Sequence, residues 1–149
     1  MTAQPLPQPG IDALQNALAT EHAALWCYSL AVAFLDAGQR DQARADTSAH
    51  LSLRAAVERV LGGLGARGQS AQPAYAIPEP VVDAASAARL LVVAETDAMA
   101  AWHSVLEHTA DTGLRMSALQ ALTGTTLRCA RWRVVVGTPL AIPIFPGRP

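Results

Sequence analysis

The chain has 149 residues, 51% of them apolar and 15% charged, with a formal net charge of −1. That length suits one domain with room for a full core, and so few charges among so many apolar residues exclude a disordered chain. Neither a basic stripe for nucleic acid nor an acidic tail is present. All 11 fixed positive charges are arginine, a composition read as a bias toward GC-rich codons. Residues 1–10 have no basic start and no apolar run, so they do not read as a secretion signal. No apolar run approaches the roughly 20 residues of a membrane span. The cytoplasm is therefore the expected location. Cys27 and Cys129 lie within predicted helices and are expected to be reduced, buried thiols.

The predicted elements follow in order. Residues 1–10, rich in Pro, are expected to be a mobile lead-in. A first helix should start near Asp12, with Gln15 as capping-box partner, and run to about Ala37, where Gly38 stops it. A second should span about Arg40 to Leu61, ended by Gly62, Gly63, Gly65 and Gly68. Residues 69–80 are rich in Pro and small polar residues and form the one long connection. Asp83 should cap a third helix reaching about Ala110. A tight turn at Thr112 and Gly113 leads to a fourth, ending near Gly137. Residues 139–149 hold too many prolines to be helical, but Ile142, Ile144 and Phe145 should pack this tail back onto the domain. The expected fold is all-α: two helical hairpins joined by a longer connection, forming an antiparallel four-helix bundle over residues 11–138.

Core positions alternate by three and four residues along each helix. The first helix gives Leu14, Leu18, Glu21, Leu25, Tyr28, Val32 and Leu35. The third gives Ala88, Val92, Glu95, Met99, Trp102 and Leu106. One glutamate interrupts each apolar stripe. The second helix gives Ala43, Thr47, His50, Arg54, Val57, Leu61 and Leu64, against a competing stripe through Leu53 and Val60. The fourth gives Leu114, Ala118, Ala121, Thr125, Arg128, Trp132 and Val135, against a competing stripe through Leu119, Leu122 and Cys129. A polar layer therefore crosses the middle of the core, composed of Glu21, Tyr28, Thr47, His50, Arg54, Glu95, Thr125 and Arg128. A buried charge without a partner costs several kcal/mol, so the glutamates need Arg54, Arg128 or His50, or a metal.

Glu21-His22-Ala23-Ala24 with Tyr28, His50 with Arg54, Glu95, and the ending Phe145-Pro146-Gly147 resemble a ferritin-like family of unassigned function from actinobacteria. The resemblance covers residues 11–148 and implies the ferritin-like fold without an activity. In di-iron members of that fold, a Glu on one helix of each hairpin faces a Glu-x-x-His pair on the other. Glu21 and Glu95 match the first halves. The second halves are altered to Thr47-Ser48-Ala49-His50 and Thr125-Thr126-Leu127-Arg128.

Three functions follow. The first is a metal-free binding or structural module with no cofactor and no catalytic residue, possessing a Glu/Arg/His layer where guanidinium forks replace metals. The second is an iron-binding redox protein with a reduced site of Glu21, His50 and Glu95. The third uses the layer as the floor of an inter-helix pocket for a small molecule. Trp26, off the first helix's stripe, suggests a second packing surface and a homodimer contact; His22 is expected at the surface or at an interface, and Trp102 and Trp132 are expected as packing residues.

Overall fold

The computed structural model describes residues 5–139 and 141–148, and within them four helices and no strand. The helices are α1 (Gln8–Ala31), α2 (Ala37–Gly63), α3 (Ala84–His108) and α4 (Thr112–Val136). Turns 32–36 and 109–111 close two antiparallel hairpins, and segment 64–83 joins them. α1 packs against both α2 and α3, and α3 also packs against α4.

Each end has a chemical cause, and two differ from expectation. α1 starts at Gln8 rather than Asp12. Pro7 is its N-cap and Pro9 lies in its first turn, where a missing N–H costs nothing. The expected lead-in over residues 1–10 is thus helical from Gln8, and residues 1–4 lie outside the described residues. Gln15 forms no capping box. Its amide instead donates to Arg67 O (2.8 Å) and accepts from Gln69 N (2.9 Å), tying the connection to α1. The first hairpin turns at residues 32–36, before Gly38. Asp36 caps α2 reciprocally with Gln39, and that side-chain competition stops the helix where no glycine signals it. Asp83 caps α3 through Ser86 N, Asp111 caps α4 through Leu114 N, and Gly137 (φ 73°) ends α4.

Two apolar clusters flank the middle of the bundle. One contains Leu14, Leu18, Leu61, Met99 and Val105; the other contains Ala31, Leu35, Leu91 and Trp132. A third lies outside the bundle axis, where Cys27, Leu90 and Ala94 meet Trp26, Ile77 and Val81. Trp26 does mark a second packing surface. This chain's own connection fills it, with Tyr75 tilted over the indole at 5.9 Å. Both cysteines are buried and unpaired. No described helix is long and apolar enough to cross a membrane.

The tail returns to α3 differently from expectation. Ile142, Ile144 and Phe145 are exposed, at 55%, 78% and 67%. The contact is made by backbone at Gly147 instead. A Cβ there would lie 2.5 Å from His103 Cβ and 2.7 Å from Met99 O.

Gly10 shows the same economy at the other end. A Cβ would stand 2.8 Å from the His108 carbonyl, so α1's first turn is seated directly on the end of α3. Gly10→Ala must push a helix end away and should cost about 1–3 kcal/mol. Urea denaturation measures this directly; an unchanged midpoint would mean that the two helix ends are not in firm contact.

Candidate functional site

The middle of the bundle holds a continuous hydrogen-bonded chain of charged and aromatic side chains. His50 of α2 stands at its centre, fully buried between Glu21 of α1 and Glu95 of α3, which are fully buried as well. Its Nδ1 lies 2.6 Å from Glu21 Oε2 and its Nε2 lies 2.9 Å from Glu95 Oε1. Ionised carboxylates only accept, so between two ionised glutamates both ring nitrogens donate and the ring is an imidazolium. Burial alone draws the ring's pKa down. The hydrogen bonds to Glu21 and Glu95, with their charges, outweigh that and push it up from 6.5 to about 9.

Each glutamate has further donors. Trp102 Nε1 donates to Glu21 Oε1 at 2.7 Å. Tyr28 donates its hydroxyl to Glu95 Oε1 at 2.6 Å, and Arg128 Nε lies 3.2 and 3.3 Å from the two Glu95 oxygens. Arg128 Nη2 then donates to Thr125 Oγ1 at 2.9 Å. Burial, followed by the charges of Glu95 and Asp46, pushes the Tyr28 hydroxyl far above its ordinary pKa, so it remains a phenol and a donor.

Asp46 extends the chain toward α4. It is 2% exposed, and Trp132 Nε1 lies 2.9 Å from its Oδ2 and 2.9 Å from the Tyr28 hydroxyl. Gln42 (2.7 Å) and the half-exposed Arg131 (3.2 Å) donate to its Oδ1. Tyr28 has one proton, and the shorter bond to Glu95 takes it; its 3.2 Å contact with Asp46 is the weaker alternative. Three carboxylates, Glu21, Asp46 and Glu95, thus face three cations, His50, Arg128 and Arg131, and the network is neutral as built.

The structure brings together Glu21, Tyr28, His50, Glu95, Thr125 and Arg128, as the stripes predict. Thr47 and Arg54 fall outside. Thr47 is half-buried and bonds its own helix at Ala43 O. Arg54 is turned toward the surface, 3.9 Å from Glu58. The reason is rotation: α2 buries Ala43, Asp46, His50, Val57 and Leu61, a line between the two stripes read from its sequence. Asp46 was missed because Thr47 fills its place in that reading; the signal for it was an acid one turn before His50. Trp102 and Trp132 are packing residues that also act as donors to buried oxygens. Of the surface and interface positions expected for His22, the structure gives a contact with the connection: it is 8% exposed, with Nε2 3.0 Å from Gln69 O.

Two helical hairpins with a glutamate from each meeting at mid-core define a ferritin-like four-helix bundle. The chain belongs to the domain-of-unknown-function family DUF4439, whose model matches residues 13–149. It is similar to the crystal structure of a conserved hypothetical protein, rv2844, from Mycobacterium tuberculosis. The two are 33% identical, with a TM-score of 0.83 over 85% of this chain and 96% of that one. A structure titled as ferritin-like, diiron-carboxylate proteins from Bacillus anthracis str. Ames superposes with a TM-score of 0.73 over 85% of this chain and 94% of that one. At 13% identity, that likeness is one of fold. No curated protein matches the chain.

The bridging imidazolium makes stability depend on pH with a definite sign. The folded-state pKa is raised, so the contribution is fully present below 6.5 and is lost as pH rises through about 9. Urea midpoints taken from about pH 6 to about pH 10 should fall across that window. His50→Gln should flatten the fall. A wild-type midpoint that stays level would mean that the folded ring is neutral.

Proposed function

We propose that this protein is a metal-free ferritin-like module, with a role in binding or structure, and that its charged layer holds four helices in register. The observation that carries this reading is the position of His50, with its two ring nitrogens 2.6 Å and 2.9 Å from carboxylate oxygens of Glu21 and Glu95, a geometry that favours the doubly protonated ring. A ligand to iron needs a nitrogen lone pair, and an imidazolium offers none.

The rest of the donor set agrees. A di-iron site of this fold takes a Glu from each of two helices and a Glu-x-x-His pair from each of the other two. Thr47 and Thr125 stand at the two lost Glu positions, and each donates its hydroxyl to its own helix at Ala43 O or Ala121 O. Arg128 replaces the second His, and its positive charge opposes any cation beside Glu95. These residues do not fit a pair of irons. The single-iron alternative, on Glu21, His50 and Glu95, requires His50 to give up a bridging proton and both of its short bonds. The small-molecule alternative requires space at Glu21 and Tyr28, and neighbouring side chains already fill the layer there.

The test separates these readings. Protein purified without a tag and loaded anaerobically with ferrous iron should retain no stoichiometric metal after desalting. Retention near one equivalent, lost in Glu95→Ala, overturns the proposal. Arg128→Ala should destabilise the fold by about 3–5 kcal/mol, because it leaves a buried carboxylate short of a partner. A stability loss well below that would mean that the guanidinium is not holding Glu95.

A further inference from the structure

Outside the bundle core, three cavities share one residue, Asp97, on the outer side of α3. The one walled by the tail is about 380 Å³ and lies between α3, α4 and the tail, with Thr96, Met99 and Ala100 on the α3 side and Arg133, Pro143 and Arg148 opposite. A second, of about 190 Å³, opens from Asp97 toward Tyr75 and Pro78 of the connection. Both Pro-rich segments of the chain therefore form walls around the same carboxylate.

We propose that the cavity under the tail binds a small zwitterion with an apolar body, of the class of an apolar α-amino acid. Asp97 would accept from the ammonium group, Arg148 would hold the carboxylate with the charge of Arg133 beside it, and Met99, Ala100 and Pro143 would cover the aliphatic part. Three features of the cavity support this. Its volume falls in the range of small-ligand sites, roughly 300–1,000 Å³. Its charges are of both signs, with the anion on α3 and the guanidinium groups on α4 and the tail. Asp97 is exposed at the cavity wall, open to a ligand, and partial burial raises its carboxyl above the ordinary value. A carboxylate perturbed in this way inside a cleft is a recurrent mark of a binding site.

The tail wall is built rather than draped. Gly147 has φ of 82° and lies too close to His103 and Met99 O to carry a side chain. Arg148 follows directly and turns back by donating its N–H to Phe145 O at 3.1 Å. Glu107, 4.0 Å from an Arg148 nitrogen, provides a weak competing anion. The site shares no residue with the charged layer, so its fate and that of the metal-free reading are separate.

Calorimetric titration of the full chain with L-leucine tests the proposal, with isoamylamine and isovalerate as probes carrying one charge each. L-leucine should bind about tenfold or more tightly than either. Asp97→Asn should weaken it by about tenfold, and Arg148→Ala should weaken it while leaving isoamylamine unchanged. Gly147→Ala alters no charge but moves the wall, and should weaken L-leucine as well. Absence of L-leucine binding overturns the proposal, as does binding unaffected by Asp97→Asn or isoamylamine binding as tightly as L-leucine. Should Gly147→Ala fail to fold, Arg148→Ala still decides whether the tail takes part.

Discussion

The structure depends on the pair of short hydrogen bonds from His50 to Glu21 and Glu95. Each glutamate belongs to a different hairpin, and two carboxylates facing one another across a dry core would repel. The imidazolium converts that repulsion into two attractions. It also explains the other donors. Once Glu95 is committed as an anion, Arg128 and Tyr28 complete its coordination in the way that solvent otherwise would, and Trp102 does the same for Glu21. Removal of any one donor returns a desolvation cost to a buried charge, and that cost is larger than a typical neutral hydrogen bond.

Fold and site chemistry are separate questions at this point. A ferritin-like scaffold concentrates acids at mid-core because two metal cations neutralise them. The same negative charge is met here by side chains: one imidazolium, one guanidinium at Glu95 and a second at Asp46. Arginine suits such a position because its planar fork directs several donors at fixed angles, and it stays protonated even when buried. On the metal-free reading proposed above, side-chain donors balance the charge of this polar centre.

Much of this was legible in the sequence, and the failures within the polar layer share one cause. Two glutamates interrupting otherwise apolar stripes identify the layer, because no other pattern places a carboxylate there without a partner. The four-helix order follows from the Gly and Pro breaks, and Asp83 and Gly137 mark their helix ends correctly. The errors concern α2. Its sequence is the least apolar of the four, so two stripes compete, and neither one-residue choice includes Asp46 as an inward residue. Periodicity ranks faces by hydrophobicity, and a face buried because of its charges is invisible to it. The tail illustrates the converse: Ile144 and Phe145 look like core residues, yet a backbone approach at Gly147 takes the contact and leaves them outside.

That same weakness of α2 shows what the layer does for the fold. The apolar side chains α2 buries are Ala43, Val57 and Leu61, too few to fix a helix of 27 residues by packing alone. α1 packs against α2 and α3, and α3 against α4, but α2 and α4 do not share a comparable helix-to-helix surface. Across that side the bundle is closed by Asp46, reached from α4 by Trp132 and Arg131, and by the path from His50 through Glu95 to Arg128. A wholly apolar replacement of similar volume could be equally stable, since buried ion pairs seldom outperform good packing. It would not be equally specific. An apolar seam between α2 and α4 tolerates rotation of α2 by one position, as its two competing stripes show. Hydrogen bonds with fixed donors and acceptors do not tolerate it, because a single step would bury Thr47 or Arg54 in place of Asp46 and take the Asp46 carboxylate away from Trp132 and Arg131. The charged layer sets the register of α2, a helix whose apolar pattern leaves it undetermined.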